Sequence, residues 1–334
     1  MTKRERLTDI DRAKGLGIVL VVFGHLAAKT LPEGNAWFGY AQTAVYQFHM
    51  PFFMYLSGYV YFFTGAHRID LGDWPSVALR RAERLLVPFI GFGLILTVGK
   101  ALGRGFMHVD HPPESAVEAL SGLFWDTDRS PAISVWYIWV LFVYTLLTPI
   151  LFSLYGRRLP LLLAAAVVMC TLPIPHVMFL NRVFLYYVFF VLGGICAAGG
   201  DRWLGFVDRY WGITACAFVA AVSIAVWYFE DLPGTARLLA CGSLSMPVLH
   251  GIVRTGVMSR WSLLLLCGQL SFVIYLFNTP FIGVTKGLML HALPWDGANC
   301  LLYLPVLMAA GVFGPVLLKR YVIRYFPYLD RLTN

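Results

Sequence analysis

Apolar residues in this chain come in runs near 20 residues long, separated by brief clusters of glycine, proline and charge, without the strict alternation of a half-buried strand. A membrane-crossing helix needs about 20 such residues, whereas a strand of an outer-membrane barrel is about half as long. The pattern predicts an all-α, polytopic helical membrane protein with about ten transmembrane helices, organised as a single transmembrane domain over residues 1–334. The predicted spans are 14–31, 43–63, 85–103, 136–149, a short one between Arg158 and Pro173, 183–199, 212–229, 235–253, 263–289 and 299–318.

Polar residues inside those runs carry the information about chemistry. In the first run, His25 lies eleven positions after Lys14 and fourteen after Asp11, so on a helix the three project from nearly one face, with Arg12 pointing elsewhere. A histidine past the middle of an apolar helix needs a partner. Either it bonds to a neighbouring helix as packing, or it faces a cavity or pathway, as intramembrane ionisable groups usually do. In the second run, Pro51 cannot donate to the carbonyl of Gln47, which predicts a kink where His49 projects. Counted from the shared outer turn at 32–34, His25 and His49 sit at similar depths and can line one cavity. Ser57 and Gly58, further along, invite close helix approach.

Further on, Arg81 and Arg84 lie three apart at the mouth of the third span. They read either as topological anchors or as an anion site, because guanidinium forks bind phosphate. The long outer segment 104–131 is rich in carboxylates (Asp110, Glu114, Glu118, Asp126, Asp128), and either folds over the outer mouth or is simply solvated. Trp136, Tyr137 and Trp139 open the fourth span where an aromatic belt is expected. In the ninth, Tyr275 and Asn278 precede Pro280, and can bond a ligand or satisfy the carbonyl groups that the proline leaves free.

Composition agrees with the pattern: of 334 residues, 59% are hydrophobic and 13% charged. The net charge of +8 would suit nucleic acid in a soluble protein, but here the cations gather in alternate connections. By the positive-inside rule that alternation predicts an even number of spans with the N- and C-termini both cytoplasmic. The six cysteines show no C-x-x-C spacing and read as small buried hydrophobes. No H-x-x-x-H or H-E-x-x-H motif and no glycine-rich phosphate loop occurs, so no metal site is expected. The first run is interrupted by Lys14 and His25 in the wrong places for a cleaved signal, which predicts a retained helix. What remains is a histidine base in a cavity with basic groups towards the cytoplasm. A neutral imidazole can take a proton from an attacking hydroxyl near neutral pH.

The segments DIDRAKGLGIVLVVFGH, YQFHMPFFMYLSGY, R-x-x-R at 81–84, WYIWVLF and SFVIYLFNTP together resemble the acyltransferase-3 family of bacterial integral-membrane O-acyltransferases, especially its fucose 4-O-acetylase-like members. The resemblance spans most of the chain. It implies transfer of an acyl, usually acetyl, group from cytoplasmic acyl-CoA (acetyl-CoA) as donor co-substrate to a sugar hydroxyl of an extracytoplasmic or lipid-linked glycan. The implied setting is the bacterial inner membrane, with membrane lipid and glycan as partners and no nucleic acid. By the same comparison His25 is the catalytic histidine, acting as a base or carrying the acyl group transiently, and His49 matches the second-helix histidine motif and would aid it; Asp11 would pair with Lys14 or orient it. Lys14 stands where relatives often carry arginine, and Arg81 and Arg84 match the family's paired arginines, which with Lys14 would hold the CoA phosphates or else support the site. Trp136, Tyr137, Tyr275 and Asn278 would face the acceptor, although relatives often have histidine where Asn278 stands. The alternative from another class is a proton-coupled secondary transporter or glycolipid flippase that uses His25 as a relay; no inverted pair of half-sequences supports it.

Overall fold

The computed structural model describes residues 7–27, 31–103, 121–122, 124–125, 127, 130 and 132–333. The acidic outer segment around Asp110, Glu114, Glu118, Asp126 and Asp128 lies outside the described residues. Among those described there is no β-strand. The helices are α1 (Thr8–His25), α2 (Ala36–Tyr46), α3 (His49–Phe63), α4 (Trp74–Arg81), α5 (Val87–Gly103), α6 (Trp136–Leu154), α7 (Leu159–Met169) and α8 (Leu180–Gly199). They continue as α9 (Asp201–Trp227), α10 (Gly234–Arg254), α11 (Ser262–Gln269), α12 (Ser271–Leu290), α13 (Asn299–Tyr321) and α14 (Pro327–Leu332). Seven helical stretches in the described residues are long and apolar enough to cross a membrane. The protein is therefore an all-helical, multi-pass membrane protein. Helix α1 is not one of the seven because Asp9, Asp11, Arg12 and Lys14 crowd its start; α3 is short, and α7 has only 11 residues, in keeping with its short predicted run.

Several helices depart from the predicted boundaries: the predicted span 263–289 is two helices that part at Leu270, the span predicted at 212–229 starts at Asp201, and three further departures shape the site. The first stops at His25 instead of running to 31, because its end is capped by side chains from α2 and the chain then turns away. The second breaks fully at Gln47 and Phe48, so what reads as one kinked helix is α2 followed by α3, with His49 as the first residue of α3. The break falls four residues before Pro51, where the missing N–H leaves the Gln47 carbonyl without its helical donor. The third begins earlier than predicted. A short π-helical stretch, Ala82–Leu86, joins α4 to α5, so helix runs from Trp74 into the span.

Helix α1 is the hub: it packs along α11 and α12 and also touches α2, α3, α10 and α13. Its closest approach is backbone to backbone, since a Cβ on Gly15 would strike the Leu264 carbonyl and one on Gly268 the Asp11 carbonyl. A second close seam joins α3 to α8 at Gly58 and Gly193, as the Ser57-Gly58 pair suggests. Helix α9, by contrast, packs on α10 but buries only Val207 and Ala225 although it is apolar over most of its length, the surface expected of a helix facing lipid on its outer side. Past α1, the turn at Glu33 is tied to the α12–α13 connection. Glu33 N–H donates to the Trp295 carbonyl (3.2 Å), and Gly297 N–H donates to the Glu33 carbonyl (3.0 Å). This tie leaves α1 short while α12 rises twelve residues beyond Asn278, about 18 Å. The end of α1 is thus set inside the bundle.

Candidate active site

The last carbonyls of a helix have no partner within it. At the end of α1, Gln42 Nε2 and the Tyr46 hydroxyl each donate to the Gly24 carbonyl at 2.8 Å, which fixes the helix terminus and the residue beside it, His25. The ring of His25 then meets α12. Its Nδ1 lies 2.6 Å from Asn278 Oδ1. The Asn278 amide is oriented by its other contacts: Nδ2 donates to the carbonyls of Ile274 (2.9 Å) and Tyr275 (2.7 Å). Both amide hydrogens are thereby used, so Oδ1 accepts, and the proton between it and His25 sits on Nδ1. The lone pair of His25 is consequently on Nε2. No described residue bonds to that nitrogen, and it is not among the sealed, unpartnered atoms of the interior.

His49 is brought to the same place by the break between α2 and α3. Its Nδ1 donates to the Val45 carbonyl at 2.8 Å, which again leaves the lone pair on Nε2. The Tyr46 ring, whose hydroxyl caps α1, lies 5.1 Å from the His49 ring. Tyr46 thus touches both the end of α1 and the His49 ring, and the two histidines lie within electrostatic range of each other.

The aromatic residues of α6 and α12 form one wall. Tyr137 donates to Ser57 Oγ at 2.5 Å, since the Ser57 hydroxyl itself donates to the Phe53 carbonyl (3.0 Å). Tyr275 donates to the Ser134 carbonyl and accepts from the Tyr137 N–H at 3.3 Å, and the two tyrosine rings are 5.4 Å apart. Trp136 is only 7% exposed, so it is an interior residue and not part of an interfacial belt. The Arg182 guanidinium lies 4.7 Å above its ring and Tyr186 packs against it at 5.1 Å.

The predicted donor-side residues lie at the other end. Lys14 pairs with Asp11 at 3.8 Å, as their i,i+3 spacing allows. Along α1 they stand about 16 Å and 21 Å from His25, respectively. Arg81 is half-buried within electrostatic range of Tyr61, and Arg84 is exposed. The intervening π-helical turn is wider than an α-turn and spreads the two guanidinia off the single face that an α-helix would give them. Glu83, between them, forms an ion pair with Arg331 of α14.

Two features escape a reading of the sequence. Arg182 stands just before an apolar run with nothing in the sequence to single it out, and the fold sets it near Tyr46, Tyr186 and Tyr275 as well as Trp136. The second is a buried polar chain near the start of α1. Trp203 Nε1 donates to the Tyr55 hydroxyl (3.0 Å), which donates to His250 Nδ1 (2.8 Å), and His250 Nε2 donates to Asp9 (3.4 Å). Arg254 bonds Asp9 at 2.7 Å and holds Asp208 through two bonds of 2.7 Å each. The only local signal was His250 and Arg254 four residues apart on one helix face.

Residues 7–320 match the family model described as an acyltransferase domain. The chain is similar to the nodulation protein NolL of Sinorhizobium fredii, at 25% identity over 96% of this chain and 90% of the relative. It is also similar to the nodulation protein NolL of Mesorhizobium japonicum, at 28% identity over 66% of this chain and 54% of that relative. No solved structure is significantly similar to it. With nearly the whole membrane unit covered by one family model, this chain belongs to the acyltransferase-3 family of membrane acyltransferases.

Proposed function

We propose that the protein is an O-acyltransferase of the bacterial inner membrane, with about ten spans and both termini cytoplasmic, that moves an acetyl or longer acyl group from cytoplasmic acyl-CoA to a sugar hydroxyl of an extracytoplasmic or lipid-linked glycan. The observation that carries the reading is the geometry of His25: Nδ1 is held by an amide that can only accept, and the Nε2 lone pair is free for a proton. An imidazole fixed in that tautomer is arranged as a general base.

Bound acyl-CoA supplies the activated thioester. Arg81, Arg84 and Lys14 offer cations that fit its phosphates, at the end of the bundle opposite His25, and Asp11 acts through Lys14 as its ion-pair partner. His25 Nε2 takes the proton as the acceptor oxygen forms its bond to the acyl carbon, and the C–S bond breaks. The imidazolium then returns that proton to the departing thiolate, so the cycle closes without a net change in His25. Asn278 holds the ring through the step, and its oxygen faces the N–H that becomes more acidic as the ring charges. His49, with its own lone pair on Nε2, supports the acceptor hydroxyl. Trp136, Tyr137 and Tyr275 form the wall against which the sugar is placed; the tyrosine hydroxyls are already engaged, so they contribute ring surface and rigidity.

The separation of donor cations from His25, about 16 Å along α1 from Lys14, requires an extended arm to carry the thioester inward. The test is acyl transfer by purified protein supplied with labelled acetyl-CoA and candidate glycans. The expected result is acceptor-dependent release of CoA and a base-labile label on the glycan. Absence of both, in protein shown to be folded and presented with matching acceptors, would reject the reading in favour of transport.

A further inference from the structure

A separate cavity of about 760 Å³ opens beside the end of α3, at the same end of the bundle as the start of α1 and away from His25. Thirteen residues of α3 separate His49 from Phe62 at the cavity wall, about 20 Å. The cavity therefore does not belong to the histidine site.

Its lining combines two chemistries. Phe62, Phe63 and Phe152 provide apolar surface, and Ala197 and Ala198, near the end of α8, are too small to fill the space. The charged members are Arg68, Arg157 and Arg158, and no carboxylate lines the cavity. Among the described residues none of these three arginines takes part in an ion pair, and all three are exposed. The first residues of α7 also border the cavity, so the positive end of that helix adds to the field.

Two local details show how the cations are held there. The chain leaves α6 through Gly156 and Arg157, both left-handed at φ 61° and 59°, with Arg157 N–H donating to the Phe152 carbonyl at 2.7 Å. That conformation favours glycine, yet an arginine occupies it, and the turn sets Arg157 and Arg158 side by side on the rim. Across from them His67, 7% exposed, is wedged between the rings of Phe62 (4.6 Å) and Phe152 (4.9 Å). Arg68 Nε donates to its Nε2 at 3.3 Å, which leaves the ring proton on Nδ1, and that buried donor has no partner. Burial, with the neighbouring Arg68 charge, holds His67 down to about 4, so the ring is neutral near pH 7 and Nδ1 remains a donor without an acceptor.

We propose that this cavity binds a net-anionic, phosphate-bearing amphiphile, with the phosphate on Arg68, Arg157 and Arg158 and the apolar part along Phe62, Phe63 and Phe152. Three guanidinium groups without a carboxylate select a net-anionic phosphate over a zwitterionic one, whose ammonium would find no partner here, and the phenylalanines select a ligand with a chain over inorganic phosphate. Two sources offer that chemistry: the headgroup of an anionic membrane phospholipid, and CoA with its nucleotide phosphates and pantetheine arm. The assignment stands on the cavity itself and does not rest on the transfer reaction.

The test is native mass spectrometry and equilibrium binding on the detergent-purified full chain, with three probes: dioctanoyl phosphatidylglycerol, dioctanoyl phosphatidylcholine and CoA. Binding is compared between wild type and the variant Arg68→Gln/Arg157→Gln/Arg158→Gln. A second variant, Ala198→Trp, fills the space and leaves the charges in place. Each variant is checked for monodispersity and an unchanged melting temperature. We expect wild type to bind at least one of the two net-anionic phosphate probes, phosphatidylglycerol and CoA, well above phosphatidylcholine, and both variants to weaken that probe about tenfold or more. A loss confined to phosphatidylglycerol makes the site a lipid site, and a loss confined to CoA moves the donor phosphates here from Arg81, Arg84 and Lys14. Unchanged binding of both phosphate probes in the folded variants, or an equal preference for phosphatidylcholine, overturns the proposal. His25→Ala serves as a control that leaves binding here intact, so a failed transfer assay and a failed binding assay are told apart.

Discussion

Two interior histidines, His250 fully buried and His25 partly, stand at opposite ends of the bundle, and the contrast between them separates a site from a strut. His250 has both ring nitrogens engaged, Nδ1 by the Tyr55 hydroxyl and Nε2 by Asp9, and Asp9 is in turn locked by Arg254, which grips Asp208. His25 has one nitrogen engaged, by a neutral amide, and the other is left open. Ionisability and an interior position are common to both. What differs is spare hydrogen-bonding capacity: a ring with both nitrogens engaged ties helices together, while a ring with a free lone pair can accept a proton from something that arrives. Intramembrane polarity points to function only once its partners have been counted.

The predictions follow that contrast in order of size. Replacing His25 by Ala should cost about 10²–10⁴-fold in transfer rate with little change in melting temperature, as read by CoA release and thermal unfolding in parallel. Asn278→Ala should slow turnover by about 10–100-fold, because the ring loses the acceptor that fixes its tautomer. Its signature is a fall in kcat with little movement in KM for acyl-CoA. At the other end, Asp9→Asn should leave the rate per folded molecule unchanged while lowering stability by about 2 kcal/mol, since it weakens the charge-assisted bonds from Arg254 and His250. A calorimetric melting curve measures that loss. The smallest effect belongs to Tyr46→Phe, which removes one of two donors to the Gly24 carbonyl; about 1 kcal/mol, or roughly fivefold in rate, is expected. Gln42→Leu combined with it should cost more than either alone, which a double-mutant cycle resolves.

How much of this was legible in the sequence depends on how local each feature is. His25 was legible because an isolated polar ring in an apolar run shows in a short window, and the helical character of the chain shows in the length of its runs. The length of α1 was not, because its end is set by Gln42 and Tyr46 reaching across from α2 and by the Glu33 turn tied to residues 295–297. The break before His49 was visible as a proline effect, but not its completeness. The depth of Trp136 was misread for a related reason: a tryptophan at the start of a span resembles an interfacial anchor, and only the arrival of Arg182 and Tyr186 buries it. The His250 network was illegible because its members, Asp9, Tyr55, Trp203, Asp208 and Arg254, come from four different helices. Arg81 and Arg84 show a subtler limit. Their spacing is plain, but a π-helical turn changes the geometry that the spacing implies.

The most direct test of the central claim is to measure, in parallel, turnover per folded molecule and melting temperature for His25→Ala and His250→Ala. The account predicts a clean crossing: His25→Ala keeps its melting temperature and loses transfer, and His250→Ala loses melting temperature and keeps transfer in the fraction that remains folded. If His250→Ala abolished turnover at undiminished stability while His25→Ala turned over normally, the free Nε2 of His25 would not be the base, and the chemistry would belong to the opposite end of the bundle.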